Sequence, residues 1–175
     1  MLDIKLTNDT GVFDVTFENG DFTIDRGLET ALVVSILSDR RASSSQVPQP
    51  ELRRGWIGDL VTSLPGYKIG SHIWLFEQSR TTQETLSGIE DSAKKALDWM
   101  LSSGLIVNVD ANATYNVSDS SVLLRITVTS PDGSVSMKAF NLWKETVINA
   151  KPSGTIGSIS SGYGGSGYGD GGYGE

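Results

Sequence analysis

The sequence is 175 residues long and carries 14 Lys and Arg residues against 21 Asp and Glu residues, which gives a formal net charge of -7 at pH 7. An acidic protein repels phosphate backbones, so the composition argues against binding to nucleic acid. The chain has no cysteine and a single histidine, His72, which excludes disulfides, cysteine nucleophiles and multi-histidine metal sites within one chain, and we expect neither a metal nor a cofactor.

The first predicted element is a β-hairpin. Apolar and polar residues alternate through residues 13–17 and again through residues 22–24. Asn19-Gly20 lies between the two runs and suits a type I′ turn, because both central residues of that turn need φ > 0. The N-terminus lacks the pattern of a signal peptide, and no apolar run approaches the roughly 18 residues of a membrane-spanning helix. We therefore expect synthesis in the cytoplasm and no membrane insertion.

A short buried helix is predicted at residues 28–41. Its apolar residues form a wide face, and it ends in the polar group Ser38-Asp39-Arg40-Arg41. Residues 42–51 hold three serines and two prolines and are predicted as an irregular loop. Residues 53–61 are predicted as a compact turn that holds apolar side chains, and the apolar stretch Ile73 to Phe76 as a short helix.

The clearest predicted helix runs from Thr82 to Ser103. Thr81 and Glu84 fit a capping box at its start, and Gly104 is the residue expected just past its end. One face of the helix is apolar and the other is charged, so the helix is expected to pack on the rest of the domain through the apolar face.

Short strands are predicted to close the domain as an antiparallel meander. They lie at residues 105–109, 114–117, 122–128 and 135–143. Strands at both ends of the chain, with helices between them, predict an α+β fold and not a doubly wound sheet. We assign residues 1–152 to this single domain.

The last residues form a low-complexity tail. Residues 161–175 are three pentapeptides, each with Gly-Tyr-Gly at its centre. Gly/Tyr/Ser-rich sequence buries too little apolar surface to offset its ordering entropy, so residues 153–175 are predicted to be disordered, with a root-mean-square reach of about 25–30 Å. A dispensable extension and a contact arm for other proteins are both open interpretations. A nucleic-acid arm would interleave arginine, which this tail lacks.

The most informative region combines arginine with tryptophan. Residues 40–54 hold four arginines and one acid, whereas residues 1–29 hold seven acids and two basic residues. Arginine and tryptophan are enriched at protein–protein hot spots. An alternative interpretation is internal pairing, for example of Arg40 or Arg54 with Asp59. The candidate interface residues are Asp39, Arg40, Arg41, Arg53, Arg54, Trp56 and Asp59.

No catalytic constellation is evident. No recognisable motif places a nucleophile or an orienting carboxylate beside His72, which we interpret as a structural or surface histidine. Carboxylate pairs, which a glycosidase needs, arise by chance among 21 acids and carry no signal. A protein without enzymatic activity is therefore predicted, with a cell-wall hydrolase and a scaffold acting through the flexible tail as the alternatives.

Four short motifs occur in a fixed order along the chain. They are Asp39-Arg40-Arg41, Arg54-Gly55-Trp56-Ile57-Gly58-Asp59, Gly70-Ser71-His72-Ile73-Trp74-Leu75, and Pro131-Asp132-Gly133 ahead of Leu142-Trp143. Together they resemble the bacteriophage Mu-type tail baseplate protein family over residues 1–150, and the Gly/Tyr-rich C-terminal segment lies outside the match. That family is similar to the wedge and sheath-initiator proteins of contractile tails, some of which were once labelled lysozyme-like.

The resemblance implies a structural protein of the virion. Such a protein would be made in the host cytoplasm and would lie in the tail baseplate, in a six-fold arrangement around the tail tube. Its implied partners are other baseplate wedge proteins, the tail tube and the first ring of sheath subunits. The Arg/Trp region would dock on the wedge neighbours.

The resemblance also implies a sheath-templating strand near the C-terminus, to which sheath subunits add strands. An exposed edge there would suit strand addition, since backbone hydrogen bonds supply the affinity. A Glu-Pro-Arg motif of related wedge proteins is absent, and Pro50-Glu51-Leu52-Arg53 resembles it only loosely. The residues assigned to the templating strand are Val135, Met137, Ala139, Phe140, Leu142 and Trp143.

Overall fold

The computed structural model describes residues 3–9, 12–25, 27–61, 68–118, 120–143 and 146–148. The predicted tail, residues 153–175, lies outside the described residues. In chain order the described elements are β1 (Asp3–Ile4), β2 (Leu6–Asp9), β3 (Val12–Val15), β4 (Phe17–Glu18), β5 (Asp21–Phe22), β6 (Ile24–Asp25), α1 (Glu29–Leu37), a 3₁₀ turn (Pro50–Leu52), α2 (Gly58–Val61), a second 3₁₀ turn (Ile73–Phe76), α3 (Gln83–Ser102), β7 (Asn108–Asn116), β8 (Ser121–Thr129), β9 (Val135–Leu142) and β10 (Thr146–Ile148).

The largest unit is a four-stranded antiparallel sheet with the strand order β10-β9-β8-β7. With the helices it confirms the predicted α+β fold. The strands predicted at 105–109 and 114–117 are in fact one strand, β7. Its inward residues are the alanines Ala111 and Ala113, whose small side chains give a weak apolar signal. Strand β10 was not predicted.

The core lies between the helices and one face of the sheet. The four inward residues of β8, namely Val122, Leu124, Ile126 and Val128, are at most 1 % exposed, as their alternation predicts. Each such side chain contributes roughly 1.5–3 kcal/mol of transfer free energy. From the helices, the core receives Leu32, Val33, Ile36, Ile89, Ala93, Ala96, Leu97 and Met100.

Helix α3 begins one residue later than the predicted capping box requires. Its N-cap is Thr82, whose side-chain oxygen accepts from the Thr85 amide at 3.2 Å. The predicted capping box of Thr81 and Glu84 is therefore wrong, because a threonine occupies the third helical position. Gly104 has φ 71° just past the helix, as predicted. In the described part of the chain, no helix is both long enough and apolar enough to cross a bilayer.

Helix α1 is shorter than predicted and ends at Leu37, not at residue 41. Ser38 is extended (φ -79°, ψ 142°), and the chain then forms a parallel bridge between Asp39 and Ser71. The Ser71 amide donates to the Ser38 carbonyl and the Arg40 amide donates to the Ser71 carbonyl, both at 2.9 Å. These two bonds to a distant segment replace the helical bonds that residues 38–41 would make.

The N-terminal residues form a ribbon of short paired strands. The predicted hairpin is confirmed: β4 pairs with β5, and Asn19 (φ 54°) and Gly20 (φ 84°) form the turn. Strands β2 and β3 form a second hairpin, and β1 pairs with β6. The ribbon is joined to the start of α1, where Thr30 Oγ1 donates to the Ile4 carbonyl at 3.0 Å.

Candidate protein–protein interface

The predicted interface residues come together beyond the C-terminal end of α1. Here residues 38–41 run between residues 53–55 and residues 70–72. Gly55 (φ 95°) and Gly70 (φ 94°) permit this close approach. A Cβ atom at Gly55 would lie 2.6 Å from Arg41 Cβ, and one at Gly70 would strike the Ser38 carbonyl oxygen. Both glycines are therefore required by backbone packing as well as by their positive φ.

Two of the arginines hold the loop of residues 43–54 together. Arg41 donates from Nη1 to the Arg54 carbonyl at 3.1 Å and from Nη2 to the Pro50 carbonyl at 3.2 Å. Arg53 donates from Nε to the Val47 carbonyl and from Nη2 to the Pro48 carbonyl, both at 2.8 Å. These guanidinium groups position the loop, and their donors are already engaged within it.

Arg54 is the centre of a charged cluster on the surface. Its guanidinium makes a two-pronged contact with Glu77 (3.0 and 2.8 Å) and donates to Asp39 at 3.2 Å. The same group lies 4.8 Å from the ring centroid of Trp74, a cation–π distance. The hydrogen bond with Glu77 is the main cause of a raised Arg54 pKa, opposed by desolvation and aided by Asp39.

The energetic contribution of this cluster is modest because its charged groups are about two-fifths exposed. Exposed ion pairs contribute about 0.2–1 kcal/mol, and the planar two-pronged geometry places this cluster near the upper end of that range. One arginine against two carboxylates leaves the cluster with net negative charge. The Arg54 cluster, as we call Asp39, Arg54, Trp74 and Glu77, is thus better suited to specifying a contact than to stabilising the fold.

The predicted internal pairing of Arg40 or Arg54 with Asp59 is wrong. Arg54 pairs with Asp39 and Glu77 instead, and the Arg40 side chain faces a different groove, beside His72. Asp59 is 7 % exposed and accepts from the Ile69 amide at 3.4 Å. Asp59 therefore fixes the backbone under the interface and does not present its carboxylate to a partner.

An exposed apolar patch adjoins the Arg54 cluster. Trp56 is 51 % exposed and Ile57 is 75 % exposed, so the turn predicted to hold apolar side chains presents them to solvent. Leu52 is also exposed. The Trp56 ring lies against Gly58, where any side chain would collide with it. Large apolar groups next to oriented charges are the composition of a binding surface.

A groove of about 370 Å³ connects the Arg54 cluster to the end of the sheet. Asp39, Trp74 and Glu77 line one side, and Leu142 with Trp143 lines the other. Trp143 has φ 75°, a left-handed conformation that turns the chain sharply after β9. The groove therefore places Asp39, from the first set of predicted site residues, near Leu142 and Trp143, from the second.

The predicted templating strand coincides with β9, and its side chains serve several roles. Phe140 (0 % exposed) and Leu142 (3 %) belong to the core, and Ala139 is buried as well. Strand β10 pairs with Ala139, Phe140 and Asn141, so the expectation of an open edge along all of β9 is wrong for that half. Among the described strands, none pairs with the outer side of Val135–Met137.

The opposite edge of the sheet is closed by a side chain from α3. The Ala113 amide of β7 donates to Glu90 Oε1 at 2.8 Å, on the side away from β8. Along an antiparallel strand, successive backbone amides point alternately to one side of the strand and to the other. Because the Ala113 amide points away from β8, the pairing of residues across the sheet fixes the direction of the amides in β8 and β9. In β9, the amides of Val135 and Met137 therefore point outward, away from β8.

Three residues of this region were not predicted as site residues from the sequence: Trp74, Glu77 and Glu90. Asp59 was the internal partner considered for Arg40 or Arg54, and no pattern in the sequence indicated Glu77. Trp74 lies within Ile73–Phe76, which was predicted as a short helix and forms a 3₁₀ turn in the structure. Its indole nitrogen donates to the Arg40 carbonyl at 2.9 Å, which aims the ring at Arg54.

His72 has a structural contact in this region. Its Nε2 lies 3.2 Å from the Arg41 carbonyl, so that nitrogen acts as the donor and ties the 3₁₀ turn to the segment that carries Arg41.

Comparisons with known proteins show the family to which this chain belongs. A protein family described as "Phage protein GP46" matches residues 28–135. The "Baseplate protein gp46" of Escherichia phage Mu is 32 % identical over 137 residues, which cover 77 % of this chain and 92 % of the relative. The "Mu-like prophage FluMu protein gp46" of Haemophilus influenzae is 30 % identical over 140 residues, covering 80 % of this chain and 96 % of the relative.

Proposed function

Because this chain belongs to the GP46 family of phage proteins, we propose that it is a structural component of a phage tail baseplate and acts there as an assembly platform for the sheath. The name of the phage Mu relative supports the baseplate location. In this proposal the tail is contractile, the protein is arranged with six-fold symmetry around the tail tube, and it acts through protein contacts without enzymatic activity.

The observation that best supports the platform role is a difference in backbone hydrogen bonding between the two edges of the sheet. Glu90 occupies an outward amide of β7, which discourages strand addition there. On the other side, Val135 and Met137 direct amides away from β8, and among the described residues β10 pairs with the second half of β9 only. An incoming sheath strand would extend the sheet beside these residues by backbone hydrogen bonding.

The second surface would hold the protein in the baseplate. The Arg54 cluster and the exposed Trp56 and Ile57 offer a wedge neighbour both charged and apolar contacts. Arg41 and Arg53 contribute indirectly, because their donors shape the loop that presents Trp56. Docking through this face would leave the first half of β9 available to the sheath.

The test is a Met137→Pro substitution in phage particles. Proline removes the outward amide of residue 137 and leaves the β9–β8 ladder bonds intact, because those use the alternate residues. We expect tails whose baseplates contain the protein in normal amount but carry little or no sheath. Quantitative mass spectrometry of separated tail, baseplate and capsid fractions measures both quantities.

The matched control is Met137→Ala, which keeps the amide and should assemble sheath normally. Normal sheath on Met137→Pro tails would contradict strand templating. Absence of the wild-type protein from the baseplate fraction would contradict the baseplate role itself, so the two failures are distinguishable.

A further inference from the structure

A basic groove lies beside α3, away from the Arg54 cluster. It has a volume of about 700 Å³ and is lined by Arg40, Lys68, His72 and Lys95, with Asp98 as the acid among its lining residues. The side chains of Arg40, Lys68 and Lys95 form no ion pair with a described residue. In a chain of net charge -7, unneutralised cations gathered in a concavity indicate a site for an acidic partner.

An acidic apolar surface lies on the N-terminal ribbon. Phe17 is 62 % exposed and packs against Phe22 across the hairpin, with ring centroids 4.3 Å apart and the ring planes tilted by 38°. Asp14, Glu18 and Asp21 surround this pair, and all three are exposed and form no ion pair with a described residue. An exposed aromatic pair rimmed by carboxylates is an interaction surface that needs a positively charged complement.

These two surfaces lie at opposite ends of α1. The ribbon is attached at the N-terminal end, where Asp25 accepts from the Thr30 amide at 2.8 Å. The basic groove lies beyond the C-terminal end, where Arg40 follows Ser38. The nine-residue helix separates them by about 13 Å along its axis. Surfaces at opposite ends of a rigid helix favour contact with another copy over contact within one chain.

We propose that copies of this chain associate head to tail, with the ribbon hairpin of one copy in the basic groove of the next. Glu18 and Asp21 at the hairpin tip face Lys68 and Lys95, and the Phe17–Phe22 pair presents aromatic faces to the cations. Such a contact joins two different surfaces, so repetition closes a ring or extends a filament. The proposal stands on charge and geometry and does not depend on the baseplate role.

The experiment measures self-association of the full-length protein by sedimentation velocity and equilibrium, up to millimolar concentration. We expect concentration-dependent association that weakens as salt rises from about 20 to about 500 mM, because salt screens exposed charges. The groove variant Lys68→Glu/Lys95→Glu and the ribbon variant Glu18→Lys/Asp21→Lys should each raise the dissociation constant by about 100-fold, because like charges then face each other.

The decisive experiment mixes the groove variant with the ribbon variant. The acidic groove of one variant then meets the basic ribbon of the other, so the mixture should associate although neither variant does so alone. The matched controls are Lys94→Glu and Asp91→Lys on α3, which should associate like the wild type. A wild-type protein that stays monomeric throughout, or a mixture that fails to associate, overturns the proposal.

Discussion

At the β7 edge of the sheet, a helix supplies a carboxylate to the strand backbone, whereas at the opposite edge the first half of β9 has no neighbouring strand among the described residues. Both strands bury side chains in the same core. The difference therefore lies in the backbone and not in the packing. In the proposed function, this difference would seal the sheet against strand addition on one side and leave it receptive on the other.

The largest expected effect tests whether the side chains of β9 contribute to stability. Phe140→Ala should lower the free energy of unfolding by about 3–5 kcal/mol, because it removes a fully buried ring opposite Leu124. Urea denaturation measures the change. Val135→Ala in the same strand is the matched control and should cost less than about 0.5 kcal/mol, since Val135 is half exposed. Equal losses would show that β9 is not packed as described.

A smaller effect tests the closed edge directly. Glu90→Ala should cost about 1–3 kcal/mol, because the Ala113 amide loses a charged acceptor. Hydrogen exchange at the Ala113 amide should accelerate, while exposed Asp91→Ala should leave both the stability and that exchange rate nearly unchanged. Glu90→Gln retains an acceptor oxygen and should fall between the two. An Ala113 amide that stays equally protected in Glu90→Ala would mean that the edge is closed by something else.

The smallest expected loss of stability concerns Asp25, which lies beside Ser136 and Lys138 where the ribbon meets the start of β9. Burial opposes ionisation of Asp25, but hydrogen bonds from the Thr30 and Gly27 amides outweigh it and hold its pKa below the ordinary value. Because the pKa of Asp25 is lower in the folded state, its ionised carboxylate stabilises the protein at pH values above the unfolded-state pKa of about 3.9. This stabilisation is lost as the pH falls through the folded-state pKa.

Asp25→Asn should therefore cost about 1 kcal/mol at neutral pH, and the difference from wild type should shrink below about pH 4. Thermal unfolding at a series of pH values measures both quantities. A loss that stays constant down to pH 2.5 or so would contradict a role for the charge and would leave only the shape of the side chain.

Sequence patterns predicted the fold where a local signal was strong. Asn19-Gly20 indicated the hairpin turn, the apolar face of α3 indicated its buried side, and the alternation in β8 indicated its inward residues. The patterns failed where distant residues decide the outcome. Helix α1 ends early because Ser71, far along the chain, takes its hydrogen bonds.

The candidate interface was predicted in composition but not in arrangement. Arginine and tryptophan indicated an interface within residues 39–59. Arg54 pairs with Asp39 and with Glu77, and Glu77 lies outside that range. No spacing rule connects Arg54 with Glu77, because their contact depends on the 3₁₀ turn at Ile73–Phe76. Glu90 was predicted only as part of a solvated helix face, and its bond to β7 depends on tertiary packing.

The ion pair between Glu29 and Lys138, 3.1 Å long, has a consequence for the time course of synthesis. The partners lie about 110 residues apart, and at 5–20 residues per second a ribosome needs about 5–20 s to add the residues between them. During that interval α1 has been made, whereas β9, which carries its ion-pair partner, has not. The part of the domain made first is therefore among the last to be completed.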